Sequence, residues 1–111
     1  MNKTSDINIR VTLNESKHPE KIQWHADDSG VEGLHESKAM ILSLWDDKAA
    51  SSMRIDLWTG DMMVADMQRF FYETLSTLAD TYKNATNDES LSNELKKTAN
   101  LFAQSNPQEI K

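Results

Sequence analysis

Apolar and polar residues alternate strictly from Ile7 onward: Ile7, Ile9, Val11 and Leu13 interleave with Asn8, Arg10 and Thr12. That period of two sets four apolar side chains on one face of a strand. The stretch NESKHPE, residues 14–20, supplies turn chemistry, because Pro19 has no amide proton and biases His18 toward extended backbone. A second alternating run follows in KIQWHADD, where Ile22, Trp24 and Ala26 face one way and Lys21, Gln23 and His25 the other. Asp27 to Ser37 has no period, contains Gly30 and Gly33, and reads as the longest loop. Met40 to Trp45 is apolar at nearly every position, the pattern of a strand covered on both faces. With Met53 to Trp58 it brackets the polar stretch Asp46 to Ser52, and each arm finishes on a Leu-Trp pair. Lys38 to Asp61 is therefore expected to be a β-hairpin, the centre of the sheet.

Pairing the arms about that loop puts Leu44 near Ile55 and Leu42 near Leu57 on one face, with Trp45 near Arg54 and Ile41 near Trp58 on the other. The first face is expected to join Ile9, Val11, Ile22 and Trp24 in the core. The second carries Ile41, Trp45, Arg54, Asp56 and Trp58. After Gly60 the period changes to 3.6: Met67, Phe70, Phe71, Leu75, Leu78, Ala79 and Tyr82 form one helical stripe. Asp61 is a candidate N-cap, with the helix starting between Asp61 and Ala65. Asn84 to Asp88 breaks the helix, and Thr86 with Glu89 has capping-box spacing. A second helix starts near Asp88, buries Leu91, Leu95, Ala99 and Phe102, and ends at Pro107. The expected fold is one α+β domain over 1–111, a four-stranded antiparallel meander followed by two helices packed on one face (ββββαα). Residues 1–5 and 106–111 are expected to fray.

Composition narrows the function classes. The chain has 111 residues, a net charge of -6, a pI near 4.9 and a mean hydropathy of -0.66. With no cluster of lysines or arginines, phosphate backbones and anionic headgroups are repelled on average, so no nucleic-acid partner is expected. The absence of cysteine excludes disulfides, thiolate zinc sites and cysteine nucleophiles. The opening MNKTSDINIRVTLN lacks the apolar core and cleavage site of a signal peptide, and no stretch has bilayer-spanning length. A cytoplasmic location without direct membrane insertion is the expectation.

Catalytic chemistry finds little support. His25, Asp27, Asp28, His35 and Glu36 form the best candidate metal set, yet no HExxH, paired-histidine or calcium-loop spacing joins them. No serine sits in a glycine-flanked elbow, and three glycines leave no phosphate-cradling loop. Neither an enzyme, a metal nor a cofactor is expected. The aromatic stripe of the first helix reads as core. The other sheet face, with Ile41, Trp45, Arg54, Asp56 and Trp58, is the candidate partner-binding surface, because helices cover only one side of a sheet and exposed Trp and Arg are favoured anchors. The competing readings are that the N-terminal arm or the long loop folds over the tryptophans, or that Arg54 stacks on Trp45.

Three segments carry a family resemblance: VTLNESKHPEKIQWHADD, KAMILSLWDDKAASSMRIDLWTGDMMVADMQRFFYETLSTLADTY and NATNDESL. They resemble the gliding motility-associated protein GldC family over most of residues 5 to 95. The most specific part is SLWD and RIDLWT followed by Met67, Arg69, Phe70 and Phe71; Met63 stands where the family favours proline before the helix. The resemblance implies a small cytoplasmic protein associated with the gliding machinery of surface-crawling bacteria, with an accessory role and no established enzymatic activity. It defines no functional residues to carry over. The expected function is a non-enzymatic interaction module that binds a motility component, or a second copy as a homodimer, through the outer sheet face. The alternative from another class is a small acidic chaperone for a secreted or membrane partner.

Overall fold

The alternating run from Ile7 forms β1 (Ile7–Leu13), antiparallel to β2 (Pro19–Ala26), with Ile9 opposite Trp24 and Val11 opposite Ile22. The four residues expected to share a face therefore do so. Between the strands, the Asn14 side-chain oxygen accepts the Ser16 and His18 amides at 2.9 and 3.0 Å, and Lys17 takes the left-handed conformation that closes the turn. In this computed structural model residues 2–105 are described; Met1, Pro107 and the rest of the expected C-terminal tail lie outside them. The chain divides into two compact units, one ending at Met62 and one beginning at Met63, and each is described by itself.

The first unit departs from the expected four-stranded meander. It has five strands in two small antiparallel sheets, β1-β2-β3 and β4-β5. The additional strand, β3 (His35–Ser37), lies at the end of the stretch read as loop and pairs with β2 through Trp24 with His35 and Ile22 with Ser37. Its sequence, HES, has no apolar residue to create a period, so pairing rather than pattern defines it. Lys38 alone separates β3 from β4 (Ala39–Asp46), which pairs with β5 (Ser51–Trp58) around a loop at 47–50.

The hairpin register is shifted by two residues from expectation: Leu42 pairs with Ile55, Leu44 with Met53, Ile41 with Asp56 and Trp45 with Ser52. The loop is shorter than the polar stretch suggested, because Ser51 and Ser52 join the ladder. A shift of two keeps every side chain on its expected face, whereas a shift of one would have exchanged the faces. Burial departs further. Ile22 is 1% exposed and anchors the first sheet, but Ile9, Leu44 and Ile55, expected in the core, are 39%, 50% and 41% exposed. The apolar run of β4 is half-buried only from Ala39 to Leu42 and is open beyond, so it is not a strand covered on both faces.

The hairpin is locked at both ends. At the loop, the Asp46 carboxylate accepts the Lys48 and Ala49 amides at 3.0 and 3.3 Å. At the base, Thr59, 5% exposed, donates its amide to the Lys38 carbonyl at 2.8 Å and its hydroxyl to the Asp61 carboxylate at 2.6 Å. Lys38 Nζ reaches the other Asp61 oxygen at 2.8 Å. Asp61 is therefore engaged by the hairpin base, and the residue at the N-cap position of the next helix is Met63, which makes no side-chain cap bond.

In the second unit, α1 (Val64–Thr86) and α2 (Glu89–Gln104) pack against each other. Asn87 ends α1 in the left-handed conformation, its amide bonding to the Lys83 carbonyl at 2.7 Å. Asp88, not Thr86, is the N-cap of α2, accepting the Leu91 amide at 3.1 Å, while the Thr86 hydroxyl donates back to the Tyr82 carbonyl at 2.8 Å. The helices meet through small side chains: Ala79, Ser92 and Ala99 are buried, and the Ser92 hydroxyl donates to the Ala79 carbonyl at 2.7 Å. Close approach leaves the larger Leu91, expected on the inner face, exposed. Phe71 stacks on Phe102 with centroids 5.9 Å apart, and Gln68 donates to the Phe102 and Ser105 carbonyls that end α2.

Two outcomes follow from these contacts. Ala79→Leu forces four-carbon bulk into a closed helix seam and is expected to destabilise the protein by about 1–3 kcal/mol in urea titrations followed by circular dichroism. The hydrogen bonds from Lys38 first and Thr59 second hold the Asp61 carboxyl below its ordinary value of 3.8. A lowered folded-state pKa stabilises the protein fully above the unfolded-state value, and that contribution is lost as pH falls through the folded one. Between about pH 5 and pH 3, the urea midpoint of the parent protein is expected to fall more steeply than that of Asp61→Asn.

Candidate functional site

Directly paired residues of an antiparallel ladder project to the same side, and β4 and β5 pair Ala39 with Trp58, Ile41 with Asp56, Ser43 with Arg54 and Trp45 with Ser52. Ile41, Trp45, Arg54, Asp56 and Trp58 therefore share one face, as the alternation predicted. Trp45 and Trp58 are 67% and 57% exposed, so neither the N-terminal arm nor the long loop covers them. Trp45 and Ala39, the residue opposite Trp58, lie six positions apart on β4, which separates the two tryptophan positions by roughly 20 Å along the strand. The face is thus two aromatic anchors with a middle section between them. Ile41, half-buried, occupies that middle beside the ion pair of Arg54 Nη2 with Asp56 Oδ2 at 3.1 Å. Arg54 is engaged along its own strand, and Trp45, opposite Ser52 rather than Arg54, stands apart from it. Both charges are solvated, so the pair contributes about 0–1 kcal/mol and chiefly neutralises the centre of the face.

Sequence reasoning missed what adjoins Trp58. Asn14, His18 and Pro19 from the β1–β2 turn meet Asp56, Leu57, Trp58 and Gly60 around an open groove of 520 Å³. Its wall combines an apolar side, Pro19, Leu57 and Trp58, with the polar Asn14, His18 and Asp56. The turn was legible in NESKHPE, but its approach to the end of β5 is a tertiary contact without a local signal.

The residues of the candidate metal set are engaged locally. His25 Nδ1 lies 3.1 Å from the Gly33 carbonyl oxygen and its Nε2 3.6 Å from Asp27 Oδ1. Gly33 has a φ of +82°, a conformation that suits glycine and turns its carbonyl toward His25. His35 packs on Trp24 with centroids 5.1 Å apart, and Glu36 pairs with Lys21 at 3.7 Å. Asp28 is exposed. Among the described residues no three histidine or carboxylate side chains gather as a metal site. On the helical unit, Tyr82, Leu91, Glu94, Leu95 and Thr98 line a shallow 350 Å³ depression, a consequence of the small-residue seam.

The fold and this surface define a small α+β protein whose most distinctive feature is a tryptophan-bearing hairpin. The chain matches the family described as gliding motility-associated protein GldC-like over residues 19–108, and it belongs to that family. The matched region starts at the first residue of β2 and takes in β3, the hairpin, α1 and α2. No curated protein and no solved structure matches the chain significantly. Among the described residues no helix is long and apolar enough to cross a membrane.

The exposure of the two outer tryptophans is directly measurable. In Trp24→Phe, which leaves only Trp45 and Trp58, emission is expected to be red-shifted and quenched by acrylamide almost as strongly as free indole; a blue-shifted, protected emission would contradict the geometry.

Proposed function

We propose that the protein is a non-enzymatic accessory module of bacterial gliding motility, working in the cytoplasm, that binds a component of the motility machinery or a second copy of itself through the outer β4–β5 face. The supporting observation is the pair of exposed tryptophans held at opposite ends of one rigid ladder face, with a charge-neutral centre between them. Aromatic anchors of this kind lose little conformational entropy on docking and bury a large apolar area, so they concentrate binding energy at few positions. Membership of the GldC-like family supports the association with gliding motility.

A second reading, a small acidic chaperone for a secreted or membrane partner, draws on the groove beside Trp58. Its apolar wall of Pro19, Leu57 and Trp58 has room for one client side chain.

The double substitution Trp45→Ser and Trp58→Ser separates a binding surface from a structural one. Both rings are solvent-facing, so stability is expected to stay within about 0.5 kcal/mol of the parent. Affinity purification from the native cell is expected to lose the machinery component that the parent recovers. Equal recovery by both proteins would refute the face as the binding surface, and enrichment of unfolded secretory clients would favour the chaperone.

A further inference from the structure

Among the described residues β5 pairs with β4 alone, and its other edge bonds to no further strand. The phase of the ladder fixes which groups that edge presents. The Thr59 amide bonds to the Lys38 carbonyl, so the pair 38/59 is of the hydrogen-bonded type, and every second residue of β5 continues that type. Leu57, Ile55 and Met53 thus turn their backbone groups to β4, while Ser52, Arg54, Asp56 and Trp58 turn theirs outward. Exposed edges are usually blunted by proline, lysine or a bulge. SSMRIDLW contains neither residue, and its register runs without a shift.

The charges on this edge are self-complementary. A second β5 docking antiparallel must set outward-bonding positions opposite one another, which leaves three central registers. One places Arg54 opposite Arg54, one places Asp56 opposite Asp56, and the third places Arg54 opposite Asp56 twice, by symmetry. Like charges directly opposite are unfavourable and unlike charges favourable, so the third register is selected. It sets Ile55 opposite Ile55 and Met53 opposite Leu57, which extends the apolar side of the hairpin across the junction. β4 has no such code, being uncharged from Ala39 to Trp45.

We propose that two copies of the chain pair antiparallel along β5, about a twofold axis at Ile55, so that Arg54 of each copy meets Asp56 of the other. This goes beyond the self-association part of the proposed function: it joins the copies along the edge of β5 instead of face to face, drawing in the Arg54 and Asp56 side chains of the outer face but not Trp45.

Sedimentation analysis tests the pairing. The parent is expected to dimerise, and Arg54→Asp and Asp56→Arg, which leave the β4–β5 backbone bonds of Met53, Ile55 and Leu57 intact, are each expected to raise the dimer dissociation constant at least about tenfold. Mixing the two variants restores complementary contacts, Arg54 with Asp56 and the introduced arginine with the introduced aspartate, so the mixture is expected to recover the dimer. Ile55→Cys provides a readout independent of these charges. The chain has no other cysteine, and closely spaced pairs of this type fall within disulfide reach. Oxidation is expected to link Ile55→Cys into a covalent dimer and to leave Met53→Cys, which faces Leu57, unlinked. A monomeric parent, single charge variants that dimerise like the parent, a mixture that stays monomeric, or equal linking of both cysteine variants would each overturn the pairing. The Trp45→Ser and Trp58→Ser protein is expected to keep its dimer mass even where it loses its partner. Loss of mass in that protein, with the charge variants unaffected, would move self-association to the face.

Discussion

The hairpin depends on the closure of its base at Thr59. A two-stranded ladder is marginal in water when nothing fixes its ends, because each added pair must offset the entropy of ordering two residues. Here the Thr59 amide and hydroxyl are spent on the Lys38 carbonyl and the Asp61 carboxylate, and Lys38 returns to Asp61 with its own charge. Asp46 performs the equivalent task at the loop. With both ends fixed, the register of the pairs between them is fixed, and with the register the face on which each tryptophan stands. The Asp61 carboxylate is thereby committed to the strands, and α1 begins without a side-chain cap.

What could be read from the sequence follows from how each element encodes itself. Alternation carried the face assignments of Ile9, Val11, Ile22, Trp24 and the five outer hairpin residues, and these survived a register error of two because side-chain direction repeats with that period. The α+β class, the two helices and the family resemblance were legible for the same reason, since long periodic segments declare themselves. β3 was not legible, because a three-residue strand of His, Glu and Ser offers no hydrophobic contrast. Burial was the least legible: Leu44 and Ile55 are apolar enough for a core, yet lie on a two-stranded sheet that leaves them open. The groove beside Trp58 joins the β1–β2 turn to the end of β5, and no local pattern encodes that meeting.

The helical pair shows a related bias. A hydropathy stripe favours leucine and phenylalanine, but a close helix seam needs small side chains, and a buried serine suits it where its hydroxyl has a carbonyl to bond. Ser92 satisfies that condition through Ala79, so the seam runs through Ala79, Ser92 and Ala99 while Leu91 turns outward. Gln68 adds a polar tie at the other end, satisfying the Phe102 and Ser105 carbonyls that α2 leaves without helical partners. The unit is thus specified by a few hydrogen bonds at its closest approaches as well as by the apolar area it buries.

Arg54 and Asp56 link the two roles assigned to β5. On the face they cancel each other, leaving the tryptophans to dominate any docking there. Along the edge the same two residues, one position either side of Ile55, are the smallest arrangement that distinguishes antiparallel registers. A strand with one charge could only repel its own copy at that position, and an uncharged strand could slip by two without penalty. Two opposite charges flanking a central aliphatic residue favour one register and disfavour its neighbours on both sides. A strand edge without a hydrogen-bonded neighbour would otherwise invite indiscriminate pairing. Here it carries a built-in preference for one partner in one alignment.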